Sequence, residues 1–300
     1  MRDLIIIGAG PAGITAGIYA IRQGLDLLVI SKDIGGQTVW SGDIENYTGY
    51  QFISGPELTG KFEEHMRKYG IELKNEEEVT KLEKTGGGVT IETVEGQYES
   101  RTAIIASGKR SKELNVPGEK EFKNRGLTYC ATCDGPLFAK KDVAIIGGGN
   151  SAMDAALKLI KIANRIYIIN NTPALGGDAI IRQKVIESDK VSTFNSSRVA
   201  SVFGDKLVSG IKIVSGKNEK TFSVQGVFVE IGLVPNSGFI KGVDKNEDGE
   251  IKVNKRNETN IPGIFAAGDV TDVPEKQIIV ATGEGAKAAL QAFKYLAQQK

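Results

Sequence analysis

One local device constrains this chain more than any other, and it occurs twice. Leu4–Ile7 is a short apolar run without alternation, the pattern of a strand buried on both faces of a parallel sheet. Gly8-Ala9-Gly10-Pro11-Ala12-Gly13 follows at once, then a helical stretch, Ile14–Gln23, a Gly24 stop and the strand Leu25–Ile30. The second copy runs from the strand Asp142–Ile146 through Gly147-Gly148-Gly149-Asn150-Ser151-Ala152 to the helix Met153–Lys161 and the strand Arg165–Ile169. In such a turn the first glycine permits the tight bend and the second lets backbone approach a pyrophosphate. The last position must be small for helix–strand packing, a need that Ala152 also meets. The N–H groups at each helix start then hold phosphate. Either turn alone is weak evidence, but two in strand–turn–helix context predict two nucleotide-binding domains. The fold class predicted is α/β, with two Rossmann-like dinucleotide-binding domains. A duplicated pair with one inactive site is the competing reading.

Composition narrows the function classes. Glycine stands at 37 of 300 residues, against about 21 at ordinary usage of ~7%. Lys+Arg 38 against Asp+Glu 37 argues against nucleic acid or an anionic membrane as partner, since either would want a basic excess. The start of the sequence has an apolar run too short for a signal peptide, and no run approaches the ~20 residues of a membrane span. The expected address is the cytoplasm, where thiols stay reduced.

Between and beyond the two units the sequence reads as β-rich. Val89–Val94 and Gln97–Arg101 predict a hairpin, and Thr102–Ala106 a further strand ending at Ala106-Ser107-Gly108. Val191–Phe203, Ile211–Val214 and Thr221–Val229 predict strands, and Gly283–Gln298 a closing helix. Asp244–Gly249 resembles the start of a calcium loop, but Lys255 stands where a bidentate Glu is needed, so it reads as a hairpin turn. Trp40 reads equally as a ligand-side residue or as plain packing.

Both cysteines fall within four residues, Cys130-Ala131-Thr132-Cys133. That spacing suits a small reducible disulfide. A closed zinc site wants four ligands, and the only other soft candidate is the distant His65, read as a solvated residue on the helix Pro56–Tyr69; no metal is predicted. Asp134–Phe138 suggests a short helix after the pair, and a cysteine at a helix N-terminus has its thiolate favoured.

In order along the chain, Gly8–Gly13, Gly35-Gly36-Gln37, Ile44-Glu45-Asn46-Tyr47, Ala106-Ser107-Gly108, Cys130–Gly135, Gly147–Ala152 and Gly268-Asp269 resemble the low-molecular-weight thioredoxin reductase family of flavoproteins. Lys276–Gly285 is similar to the flavoprotein subunit of alkyl hydroperoxide reductase, without room for that subunit's additional N-terminal redox module. The resemblance implies an FAD-binding domain from residues 1–112 and 242–300, and a pyridine-nucleotide-type domain, 113–241, that carries the redox pair. It implies that Gly8, Gly10, Pro11, Ala12 and Gly13 cradle the FAD pyrophosphate. Ser31, Lys32, Gly36, Gln37, Asn46, Ala106, Ser107, Gly108, Gly268, Asp269, Lys276, Gln277 and Ile278 line the rest of the cofactor, with Asp269 on a ribitol hydroxyl. The adenosine ribose contact is left open between Asp33 and Ser31 with backbone. Cys130 and Cys133 are implied as the catalytic pair, Cys133 facing the flavin and Cys130 acting as interchange thiolate, with Asp134 as acid–base residue. The partner implied is a thioredoxin- or glutaredoxin-like protein disulfide, or a peroxiredoxin system. The pair would alternate between flavin and partner by domain rotation about crossings near Lys112–Pro117 and Gly238–Val243, in a homodimer. A flavin-binding redox sensor is the alternative from another class.

The electron donor follows from a different segment. Relatives that use NADPH carry a His-Arg-Arg…Arg cluster after the second unit's second strand; here Asn170–Asp178 has no basic residue. A 2′-phosphate there would lose charge-assisted bonds of about 1.5–3 kcal/mol each, so NADPH is disfavoured unless Arg182 or Lys184 holds it. Gly147, Gly149, Asn150, Ser151, Ala152 and Asn170 are the candidate residues for NADH. A non-nucleotide donor, ferredoxin or a deazaflavin, is the next reading.

Overall fold

The computed structural model describes residues 1–299 except Gly42 and Glu45, with all their side chains but those of Trp40, Asp43, Thr132 and Cys133. The readings that involve Glu45 and the Trp40 and Cys133 side chains therefore lie outside the described residues. The chain divides into two compact units, Met1–Arg110 with Val234–Lys300, and Ser111–Leu233. The chain crosses between them after Arg110 and after Leu233. The second crossing comes eight residues earlier than expected (241 − 233), because the segment after it is tied to the first unit. There the Asn236 N–H donates to the Gly108 carbonyl, the Phe239 carbonyl accepts from the Leu82 N–H, and Ile240 is buried beside Leu82 and Ile251. The crossings themselves, Lys109–Ser111 and Leu233–Pro235, pair as a two-stranded ribbon.

The first unit opens with β1 (Arg2–Ala9), α1 (Pro11–Arg22) and β2 (Leu27–Ile34), the expected βαβ device. Then come α2 (Gly55–Lys68), β3 (Glu72–Asn75), β4 (Val79–Thr85), β5 (Gly88–Thr93) and β6 (Gln97–Ile105). Ser54 and Glu57 form a reciprocal capping box at the start of α2, and His65 on that helix is exposed. The predicted separate strand Thr102–Ala106 is the second half of β6, whose first half pairs antiparallel with β5 and whose second half pairs parallel with a strand from the chain's end.

The second unit comprises β7 (Leu127–Thr128), α3 (Ala131–Asp134), β8 (Asp142–Ile146), α4 (Asn150–Ile160), β9 (Arg165–Ile169), α5 (Ala179–Ile186), β10 (Val191–Phe194) and β11 (Gly226–Val229). Its sheet has the order β7-β11-β8-β9-β10, parallel throughout. Alternation along β8 shares out its residues between two cores. Val143 and Ile145 pack with Ala152, Ala156 and Leu159 of α4, while Ala144 and Ile146 pack with Val199, Ile211 and Ile213 of an antiparallel three-stranded sheet. Two predicted strands are split. Val191–Phe203 breaks at Asn195–Ser197, where Ser196 has φ +47°. Thr221–Val229 breaks at Val224-Gln225 and divides between the two sheets.

The chain returns to the first unit for β12 (Ile264–Ala266) and α6 (Ile278–Gln298). The sheet order is β3-β2-β1-β6-β5-β4, with β12 beside β6. α6 crosses α1 so closely that a Cβ on Gly285 would lie 2.0 Å from the Ala12 carbonyl oxygen. Alanines supply the rest of that contact: Ala12, Ala16 and Ala20 share a core with Ala281, Ala288 and Ala292. α6 begins five residues before the predicted start (283 − 278), on an extended Gln277 cap. No helix among the described residues is long and apolar enough to cross a membrane.

Candidate active site

In the first unit the three turn glycines have different reasons to exist. Gly8 has φ +105°, and a Cβ there would meet the Ala106 carbonyl oxygen at 2.3 Å. A Cβ on Gly13 would meet the Gly8 carbonyl oxygen at 1.8 Å. At Gly10 the nearest atom is the Gly35 carbonyl oxygen, 4.0 Å away. The fold itself requires the first and third glycines, whereas the second leaves room for something else. α1 starts at an extended Gly10 with no side-chain cap, Pro11 in its first turn and no acidic residue there, so its leading N–H groups keep their capacity for an anion.

Other predicted residues gather around this turn. Gln37 Nε2 donates to Asp269 Oδ2 at 3.5 Å, and Asn46 Nδ2 donates to Gln277 Oε1 at 3.1 Å. Ile278 packs against the small core of Ile44, Ile53 and Leu58. Gly36 lies beside Gly10, where an added Cβ would be 3.6 Å from the Gly10 Cα. Gly268, at φ +76°, turns the chain into the Asp269 segment. Ser107 and Asn236 staple two backbones: Ser107 Oγ donates to the Asn236 carbonyl at 2.6 Å, and Asn236 Nδ2 donates to the Ser107 carbonyl at 2.9 Å. Ser31 is also spent inside the fold. Its hydroxyl accepts the Ala9 N–H at 2.9 Å and donates to the Asp33 carbonyl at 2.6 Å, while Lys32 is exposed and paired with Glu78.

One group here escaped the sequence reading. Glu250 Oε1 lies 2.6 Å from Lys109 Nζ and 3.0 Å from Lys276 Nζ, and Asn246 Nδ2 donates to Glu250 Oε2 at 2.6 Å. Burial works to raise the Glu250 carboxyl, but its bonds to Lys109, Lys276 and Asn246 outweigh that and hold it at about 2. Burial raises the Asp269 carboxyl above its ordinary value, against the pull of Lys276 and Lys109. Lys109 and Glu250 are 141 positions apart in sequence, and no local pattern links them. The first unit thus combines a phosphate-ready helix start, a hydroxyl acceptor in Asp269 and fixed cations beside it, a set that fits a flavin dinucleotide.

The second unit repeats the turn nearly point for point. Gly147 has φ +133°, and a Cβ there would lie 2.2 Å from the Glu230 carbonyl oxygen. At Gly149 an added Cβ would meet nothing within 4 Å. α4 starts at an extended, uncapped Gly149, with Asn150 and Ser151 exposed and Ala152 buried. The segment that follows β9 lies against this turn. Gly176 N–H donates to the Gly148 carbonyl at 2.8 Å, and Asp178 N–H donates to Asn150 Oδ1 at 2.8 Å. Asn170 is 1% exposed; its Nδ2 donates to the Thr172 carbonyl and to Asn195 Oδ1, and its Oδ1 accepts from the Thr172 hydroxyl. Its amide braces the segment and has little left to offer a ribose.

The cysteine segment belongs to this same unit. β7 ends at Thr128 and α3 begins at Ala131, so Cys130 sits on that helix's N-terminal edge, and the short helix expected after the pair follows as a 3-10 turn, Gly135–Phe138. Cys130 is half-buried and disulfide-bonded. The Thr128 hydroxyl accepts the Cys130 N–H at 3.1 Å and donates to the Asp134 carboxylate, and the Asp134 N–H donates to the Cys130 carbonyl at 3.1 Å. Asp134 is thereby held beside Cys130. Upstream, the buried Glu119 accepts the Tyr129 hydroxyl at 2.7 Å and the Leu114 and Asn115 N–H groups at 2.6 Å each. No cluster of three His, Cys, Asp or Glu side chains among the described residues is arranged to hold a metal.

Comparison with known proteins gives these features a context. The chain is 42% identical over 298 residues to a protein of Bacillus subtilis named NADH dehydrogenase, covering 98% of this chain and 58% of the other. It is 41% identical over 302 residues to an alkyl hydroperoxide reductase subunit of Pseudomonas aeruginosa, with the same coverage. The chain thus spans little more than half the length of these curated relatives. Thioredoxin reductase of Lactococcus lactis, a solved structure, superposes with a TM-score of 0.83 at 35% identity, covering 99% of this chain and all of the other. The two-domain α/β fold is that of the low-molecular-weight thioredoxin reductases. The sequence profile described as pyridine nucleotide-disulphide oxidoreductase matches residues 2–285, a family that implies a flavin and a pyridine nucleotide. The chain therefore belongs to the pyridine nucleotide-disulphide oxidoreductase family.

Proposed function

We propose that this chain is an FAD-dependent disulfide reductase that passes electrons through the Cys130–Cys133 pair to a thioredoxin- or glutaredoxin-like protein disulfide. The observation that carries the reading is the setting of Cys130. It is disulfide-bonded, on the edge of a helix, with the Asp134 carboxylate fixed beside it through Thr128. Gly8, Gly10 and Gly13 with the α1 N–H groups would hold the FAD pyrophosphate, and Asp269 would accept a ribitol hydroxyl. When bound, FAD supplies two-electron chemistry between a donor and the disulfide.

The protein's own residues account for the protons and the exchange. Reducing the disulfide takes an electron pair and two protons and leaves two thiols, and Asp134 is positioned to hold a proton beside Cys130. The Cys130 thiolate then attacks one sulfur of the partner's disulfide and expels the other. Cys133 resolves the mixed disulfide, which restores the intramolecular pair and leaves the partner as a dithiol. NADH is the donor this reading favours, because the second turn keeps its open Gly149 and an uncapped helix start while the following segment has no cation for a 2′-phosphate. A second donor reading, ferredoxin or a deazaflavin, is favoured by Asn170, whose amide is spent within the protein. Anaerobic mixing with NADH, NADPH and reduced ferredoxin, followed by flavin bleaching, separates these donors. Turnover of a thioredoxin or glutaredoxin disulfide against donor consumption tests the whole reading, and donor oxidation with no disulfide reduced contradicts it.

A further inference from the structure

A carboxyl group that this chemistry leaves unused stands directly after β11. The backbone of Glu230 is locked: its N–H donates to the Ile146 carbonyl at 2.8 Å, and its carbonyl lies where a Cβ on Gly147 would come within 2.2 Å. From that fixed origin the side chain reaches the redox helix, where its carboxylate takes a hydrogen bond from the Ala131 N–H. Ala131 is the first residue of α3 and the one that follows Cys130. Two charges of opposite sign on α4, Lys158 and Asp154, act on the carboxyl electrostatically. Burial pushes it up to about 7; the Ala131 N–H and Lys158 oppose the rise and Asp154 adds to it.

Resting on the disulfide-reductase reading, we propose that Glu230 is a positioning residue for the redox helix, whose charge, acting through the Ala131 N–H, sets how readily reduced Cys130 is held as a thiolate. An ionised carboxylate engages an N–H at the helix edge that would otherwise favour the sulfur anion, and it adds like-charge repulsion. A neutral carboxyl accepts that N–H more weakly and adds no repulsion. Protonation of Glu230 and ionisation of Cys130 are therefore linked around neutral pH.

The test is site-resolved alkylation of Cys130 in the reduced full chain, followed from about pH 5.5 to 9 in the wild type, Glu230→Gln and Glu230→Asp. A coupling of about one pK unit gives the wild type an additional inflection close to neutrality. Glu230→Gln removes that inflection and speeds alkylation at pH 7.5 roughly 3–10-fold, while Glu230→Asp retains it. A second readout needs no variant: the Ala131 amide resonance of the oxidised wild type should shift with an inflection near pH 7. Superimposable profiles for wild type and Glu230→Gln would overturn the proposal, as would an Ala131 amide that stays fixed between pH 6 and 8. Neither readout uses a donor or partner, so failure here is distinct from failure of disulfide turnover.

Discussion

The Thr128 hydroxyl donates to the Asp134 carboxylate while accepting the Cys130 N–H, so one side chain ties the proposed acid–base group to the proposed redox cysteine. Removing either end should damage proton handling without touching the flavin unit. Asp134→Asn should slow turnover of a protein disulfide by about 10²-fold or more, within the range of a lost acid–base group. Thr128→Val should cost less, roughly tenfold, since it misplaces the carboxylate without removing it. Steady-state turnover reads both variants, and an unchanged flavin absorbance shows that the first unit is intact.

The glycines of the two turns should separate by experiment into those the fold needs and those a ligand needs. Gly13→Ala would drive a Cβ to 1.8 Å from backbone that cannot move aside, so the first unit should fail to fold stably. Gly10→Ala has no protein atom nearer than 4.0 Å and no positive φ. It should melt within about 0.5 kcal/mol of the wild type yet lose FAD on gel filtration. Gly149→Ala should keep both stability and flavin and slow reduction by NADH.

This contrast shows what was legible in the sequence. Both βαβ devices could be read because a glycine turn between an apolar run and a helical stretch is a local signal with a steric cause. The breaks at Asn195–Ser197 and Val224-Gln225 were not legible, because they depend on which sheet each half joins. The bracing role of Asn170 depends on Thr172 and on Asn195, 25 positions away. The Lys109–Glu250–Lys276 cluster and the reach of Glu230 to Ala131 arise only when distant strands meet.

The segment after β9 offers a gain-of-function test. Asn171 is exposed and beside the turn's brace, so Asn171→Arg can present a guanidinium without disturbing Asn170. A charge-assisted bond of about 1.5–3 kcal/mol corresponds to a roughly 10–150-fold gain. The KM for NADPH in anaerobic flavin reduction should fall accordingly, while that for NADH changes little.

Two carboxyls predict opposite pH dependences of stability. Glu230 is raised to about 7 in the folded chain, so its stabilising contribution is present below its ordinary value and is lost as pH rises through 7. Glu230→Gln should therefore gain stability relative to the wild type between pH 5 and 8, by at most about 3 kcal/mol. Glu250 is held at about 2, so its contribution is present above its ordinary value and is lost as pH falls towards 2. Urea denaturation of Glu230→Gln and Glu250→Gln at several pH values checks both signs.

The central claim, that Cys130 and Cys133 form a redox couple in electronic contact with the flavin, is tested most directly by anaerobic reductive titration of the purified flavoprotein. The wild type should take up two reducing equivalents for the flavin and two more for the disulfide, the latter being a two-electron couple. Cys130→Ala should take up only the flavin's two and bind FAD as before. Equal uptake by wild type and variant would contradict the claim.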